Sequence, residues 1–191
     1  MHHLFCVVST EGSIMVTPVD HVFTRGENVT LTCISMGGPG NIYQWEKDGD
    51  IVTTDNVLTL MHINASSGGI YTCTVSNLAG NDSATTTLYV APYFIIHPEN
   101  VETTNSTEVN ITCLAKSFPD PEYVWMKDGD SDLVREDVVT VNMPNSLGFR
   151  PVIFGDEGMY TCMAFITINM VTHNESSDNA VLTGNVCVIY S

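Results

Sequence analysis

The feature that constrains this chain most is that it is written twice. Sliding the 191-residue sequence against itself by 80 positions aligns Pro18 with Pro98, Thr24 with Thr104 and Val29 with Val109. The same register carries Thr32-Cys33 onto Thr112-Cys113, Pro39 onto Pro119 and Tyr43-x-Trp45 onto Tyr123-x-Trp125. It ends with Lys47-Asp48-Gly49-Asp50 on Lys127-Asp128-Gly129-Asp130, making 12 identities over the 37 positions from 14 to 50. Further on the offset becomes 89, where Gly69-x-Tyr71-Thr72-Cys73 meets Gly158-x-Tyr160-Thr161-Cys162. The second copy therefore carries nine extra residues between Gly129 and Gly158. A repeated unit predicts two domains of one fold. The length suits two domains of about 95 residues.

Within each copy the apolar pattern has the period of a strand. Val29-x-Leu31-x-Cys33 and Val109-x-Ile111-x-Cys113 alternate with polar residues, as half-buried strands do. Leu58-x-Leu60-x-x-Ile63 and Leu147-x-Phe149-x-x-Val152 precede the Tyr-x-Cys segments in matching spacing. No stretch has helical periodicity. The expected organisation is an N-terminal extension over 1–13, a first domain over 14–91 and a second over 92–191. Only Ala91-Pro92 separates the last strand of one domain from the first of the next. Proline restricts both itself and its neighbour, so a short, stiff joint is expected.

Both copies then show the same constellation: a Cys, a Trp 12 residues later, and a second Cys with Tyr two residues before it. These are Cys33, Trp45, Tyr71 and Cys73, then Cys113, Trp125, Tyr160 and Cys162. On these residues the chain resembles the immunoglobulin superfamily, nearest the I-set or C2 type of adhesion proteins, over roughly 14–90 and 93–190. The resemblance implies an all-β fold of two tandem β-sandwiches with Greek-key topology. It also implies disulfides Cys33–Cys73 and Cys113–Cys162 between the sheets, with Trp45 and Trp125 packed against them. Tyr71 and Tyr160 would tie down their loops with their hydroxyls. The second copy has the full Asp156-x-Gly158-x-Tyr160-x-Cys162 pattern. The first has Ser67 where Asp is usual, so one carboxylate contact is expected to be missing there.

Disulfides persist in oxidising compartments, and glycosylation acceptors point the same way. Asn28, Asn64, Asn81, Asn105, Asn110 and Asn174 each begin an N-x-[ST] triplet. The expected location is the cell surface or outside. Asn28 and Asn110 fall in or beside the strand holding the first Cys. Glycans there would mask that sheet and leave the opposite one free for contact. Cys6 and Cys187 remain, near opposite ends, as incidental thiols or as partners for a segment or chain outside this sequence. The short apolar run Leu4 to Val8 is too brief for a signal-peptide core, and the chain reads as a piece of a longer protein with any membrane anchor elsewhere.

The charge excludes several partners. With 22 acidic and 6 basic residues the net charge is −16, so nucleic acid and heparin, which need clustered Lys and Arg, are not expected. Asp128-Gly-Asp130-Ser-Asp132 with Glu136 and Asp137 suggests calcium, but Leu133 and Val139 stand where an EF-hand needs Gly and Glu. The repeat explains the motif better, as a turn. The six histidines show no zinc spacing, and no nucleophile or phosphate-loop motif occurs. Neither a cofactor nor catalysis is expected. After Cys162, alternation puts Ala164, Ile166 and Ile168 inward and Met163 and Phe165 outward. Those two are the interface candidates, either as an open patch or beneath a longer strand formed by the nine-residue insertion. The resemblance implies a non-catalytic, protein-binding ectodomain of an adhesion or recognition protein, its partner another surface molecule or a second copy. A signalling receptor's ligand-binding region, such as that of a receptor tyrosine kinase, and a matrix spacer are the alternatives.

Overall fold

The computed structural model describes residues 2–8, 14–16, 21–35, 40–78, 80–104, 107–131, 139–140 and 145–185. It forms two compact units that part mainly at Ala91–Pro92, with the short segments Ser117–Pro119 and Ile168–Val171 grouping with the first. Unit 1 contains β1 (His2–Val8), β2 (Ile14–Val16), β3 (Val22–Phe23), β4 (Val29–Ser35), β5 (Ile42–Lys47), β6 (Asp50–Thr53), β7 (Val57–Leu60) and β8 (Gly69–Asn77). It also holds most of β9 (Gly80–Ile96), whose last residues belong to unit 2. Unit 2 continues with β10 (Val101–Thr104), β11 (Val109–Thr112), β12 (Leu114–Phe118), β13 (Glu122–Lys127), β14 (Val139–Thr140) and β15 (Ser146–Phe149). It ends with β16 (Gly158–Ile168), β17 (Val171–Ser176) and β18 (Ala180–Asn185).

Each unit is a sandwich of two sheets. In unit 1 one sheet runs β2-β1-β4-β7, and the other runs β9-β8-β5-β6 with β3 alongside β9; the long β9 also pairs with β12. In unit 2 the sheets are β11-β15-β14 and β10-β18-β16-β13, with β17 also paired to β16. The residues read as an N-terminal extension supply β1, which lies parallel to β4 with Cys6 opposite Cys33 along the backbone. Val139–Thr140, within the second copy's longer segment, pairs with β15 and not with β13.

The cores follow the period-two pattern. Val29, Leu31 and Cys33 are buried, as are Ile111 and Cys113 on β11 and beyond it, with the intervening residues turned outward. Two disulfides join the sheets, Cys33–Cys73 and Cys113–Cys162, with Cα–Cα distances of 6.3 and 6.5 Å. Trp45 stands opposite Cys73 across the β5–β8 pair, and Trp125 opposite Cys162 across β13–β16. An aromatic of that size beside the bond fills the gap between sheets.

Candidate interaction surface

Two local devices, present in both units, hold the strands that carry the outer face. The first is the Lys-Asp-Gly-Asp turn. Asp48 and Gly49 have φ of 51° and 96°, and Asp128 and Gly129 have 52° and 86°. Lys47 pairs with Asp50, and Lys127 with Asp130, across these two-residue loops. A two-residue hairpin turn with both φ positive suits Asp-Gly well. The Asp then reaches across to the next strand. Asp128 N–H donates to Met159 O at 2.7 Å, and Met159 N–H donates to Asp128 Oδ1 at 2.8 Å. In unit 1 the same exchange joins Asp48 and Ile70 at 2.9 and 3.0 Å. The repeated acids thus clip one strand to the next. Among the described residues no three His, Cys, Asp or Glu side chains gather as metal ligands would.

The second device is the tyrosine loop. Tyr71 Oη donates to Ser67 O at 2.8 Å and Tyr160 Oη to Asp156 O at 2.7 Å. In unit 2 the Asp156 carboxylate also accepts the Ile153 N–H at 2.8 Å. In unit 1 that carboxylate is absent, yet its task is filled: the Ser67 hydroxyl accepts the equivalent Asn64 N–H at 3.2 Å. Burial, with the nearby Asp48 charge, pushes the Tyr71 phenol up to about 12. Because its folded value lies above the ordinary value near 10, its contribution is intact below pH 10. It is lost as pH climbs from about 10 through 12. Following phenolate absorbance and unfolding together should show Tyr71 ionising only in this window. Its ionisation near pH 10 with the fold intact would contradict the reading. Tyr71→Phe should flatten the alkaline stability loss.

On unit 2 the register sorts the face. Tyr123 with Ala164 and Trp125 with Cys162 point inward, while Glu122 with Phe165, Val124 with Met163 and Met126 with Thr161 point outward. Cys162, Ala164 and Ile166 are buried, and Met163 and Phe165 are half-buried on the outer side. Ile168, counted inward from the sequence, is also only half-buried, since β16 ends there at a hairpin. One anchor was not legible in the motifs. Tyr123 Oη accepts the Ala115 N–H at 3.0 Å and donates to Ala115 O at 3.1 Å, tying β13 to β12.

The same positions in unit 1 have different chemistry. There the outward pairs are Ile42 with Ser76, Gln44 with Thr74 and Glu46 with Thr72, followed on β9 by Ser83 and Thr85. Through the repeat, Gln44, Glu46, Thr74 and Ser76 become Val124, Met126, Met163 and Phe165. Four polar positions on one face turn apolar.

The glycosylation acceptors fall on both sheets of each unit. Asn110 is exposed on β11, as expected. Asn28 is half-buried, its Oδ1 accepting the His62 N–H at 2.9 Å. Asn64 caps the short turn Ala65–Ser67, accepting the Ser66 N–H at 2.8 Å. Asn81 and Asn174, however, are exposed on β9 and β17, in the sheets expected to be free of sugar. A sheet free of sugar therefore requires Asn81 and Asn174 to be unmodified. Asn105 and Cys187 lie outside the described residues, and Cys6 is described in its backbone only.

Comparison with known proteins supplies the remaining observation. The family model described as Immunoglobulin domain matches residues 13–77 and again 91–165. Human contactin-1 is 32% identical over 176 residues, which cover 85% of this chain and 16% of contactin-1. Human hemicentin-1 is 31% identical over 160 residues, 76% of this chain and 3% of hemicentin-1. The chain thus spans a small part of the curated relatives it matches. Among solved structures, the N-terminal eight Ig domains of Down Syndrome Cell Adhesion Molecule match with a TM-score of 0.53 at 27% identity. That match covers 85% of this chain and 23% of the other.

Proposed function

The chain belongs to the immunoglobulin-domain family, and from that premise we propose that it is a non-catalytic recognition module of an adhesion protein that binds another protein through unit 2. Its two sheet-joining disulfides suit the oxidising exterior of the cell. The similarity to a molecule named for cell adhesion supports the class of function. The observation that carries the reading is the change from Gln44, Glu46, Thr74 and Ser76 to Val124, Met126, Met163 and Phe165 on equivalent faces. The equivalent four positions of unit 1 are polar, so the sandwich itself does not require apolar side chains there. Interfaces are enriched in aromatic residues and Met and depleted of charge at their centres.

The first partner to test is a second copy of the chain. Glu122 is the one acid among the outward residues of the β13–β16 pairs, so the face escapes most of the repulsion expected of a chain carrying −16. The test is sedimentation of chain produced without N-glycans, by oxidative refolding, beside its Phe165→Asp variant. Concentration-dependent dimers are expected, weakened by about thirtyfold in the variant, as for loss of a buried anchor. They should strengthen with salt, which screens the residual repulsion. Dimers of equal strength in both chains would move the contact elsewhere. Monomers throughout would exclude self-recognition and leave a different protein as the partner, to be sought with the same variant as control.

A further inference from the structure

We propose that Asn174 carries an N-glycan that lies over Met163 and Phe165, so that the unit 2 face is open to a partner only on chains whose Asn174 is unmodified. The proposal rests on the reading of that face given above and adds its regulation.

The placement follows from register. Asn169 and Met170, with φ of 49° and 66°, form a two-residue turn joining β16 to β17. Such a turn leaves no slack in pairing. Thr167 Oγ1 and Thr172 Oγ1 lie 3.2 Å apart near the turn, and Ser177 N–H donates to Cys162 O at 2.8 Å at the far end. Both bonds belong to one antiparallel register, and counting between them sets Phe165 opposite Asn174 and Met163 opposite Ser176. Directly opposed residues share a face, with Cβ atoms about 5 Å apart. The sequon Asn174-Glu175-Ser176 is exposed and free of proline. A sugar on Asn174 Nδ2 therefore starts beside the half-buried Phe165 ring, whose apolar area it can cover.

Unit 1 makes the same arrangement independently. Asn81, which also begins a sequon, stands opposite Ser76, and Ser76 is the repeat equivalent of Phe165. Each unit thus places an acceptor asparagine across from the third residue after its second cysteine. Unit 2 keeps it there although β16 is 11 residues long and β8 only 9. It does so although β18 pairs with β16 one residue out of step with β17, Tyr160 facing Ala180. An acceptor held in position through those changes is a built feature. What differs is the neighbour, polar in unit 1 and apolar in unit 2, so only in unit 2 does the glycan hide a surface with a use.

The test is made on the secreted chain from glycosylating cells, beside Asn174→Gln and Ser176→Ala, which remove the acceptor in different ways. Glycopeptide mapping should find Asn174 occupied; an unmodified Asn174 on every secreted chain would overturn the proposal and leave the face reading standing. Mild peroxide then probes the cover without a partner. Met163 should oxidise about tenfold more slowly on occupied chains than in either variant, while Met170, 98% exposed at the hairpin tip, serves as the unchanged internal control. Equal Met163 rates would sink the cover. In sedimentation the two variants should associate about tenfold more tightly than occupied chains. Equal association would overturn the gating. Protection of Met163 with no association in any form would uphold the cover and reject self-recognition through the face.

Discussion

A chain with Cys113 and Cys162 both replaced by alanine should lose about 4 kcal/mol from unit 2, estimated from the loop that the bond closes. The two cysteines are 49 residues apart, and the bond restricts the unfolded chain over that span. The matching replacement of Cys33 and Cys73, 40 apart, should cost nearly the same, since the term grows only with the logarithm of loop length. Against a usual margin of about 5–15 kcal/mol, either loss leaves a unit marginal at body temperature. Denaturant titration measures it, with Trp45 and Trp125 providing one fluorescent reporter in each unit. A shift below about 1 kcal/mol would mean that the packed core holds the sandwich without the staple. The prediction also bears on location: a compartment that reduced these bonds would remove most of the margin.

Trp125→Ala should cost unit 2 about 3–5 kcal/mol. The indole is 6% exposed and packed in one cluster with Ile111, Cys113, Leu147, Phe149, Tyr160 and Cys162. Deleting it opens a void between two sheets that cannot close on one another, because the disulfide beside it fixes their separation. Trp125→Phe should be much milder, about 1 kcal/mol. Among the described residues the buried Trp125 Nε1–H has no hydrogen-bond partner, so removing that group relieves a penalty of about 1–3 kcal/mol and offsets part of the lost volume. Urea unfolding followed by circular dichroism separates the two variants. A phenylalanine as costly as alanine would mean that the indole N–H is satisfied in solution and contributes to the fold.

These effects concern residues that the sequence already marked. The alternation around Cys33 and Cys113, the tryptophan beside each bond and the tyrosine beneath each loop are local signals of a sandwich; Trp45 and Trp125 stand opposite Cys73 and Cys162, and Tyr71 and Tyr160 donate to Ser67 and Asp156. The repeat also explained Lys-Asp-Gly-Asp correctly as a turn. Its mechanism, an aspartate exchanging bonds with the next strand, required knowing which strand lies alongside. Ser67 was correctly read as a missing carboxylate. That a hydroxyl serves the same N–H could not be read, because the substitution shows what is absent and not what reaches in.

The fold class was legible in short-range pattern: period-two burial and a Cys–Trp–Tyr-x-Cys constellation repeated 80 to 89 residues later, on which the family resemblance, and with it the disulfide pairs, rested. Such signals survive in one dimension because each depends on a residue's position within its own strand. The outer face of unit 2 and the acceptor upon it depend instead on which residues of two strands meet. That pairing is set by an Asn169-Met170 turn with no glycine to announce it. It is then shifted by one residue between β17 and β18. A slip of one residue sends every side chain of a strand to the opposite face, so whether Asn174 faces Phe165 or the core was a matter of register, decided in the folded sheet alone.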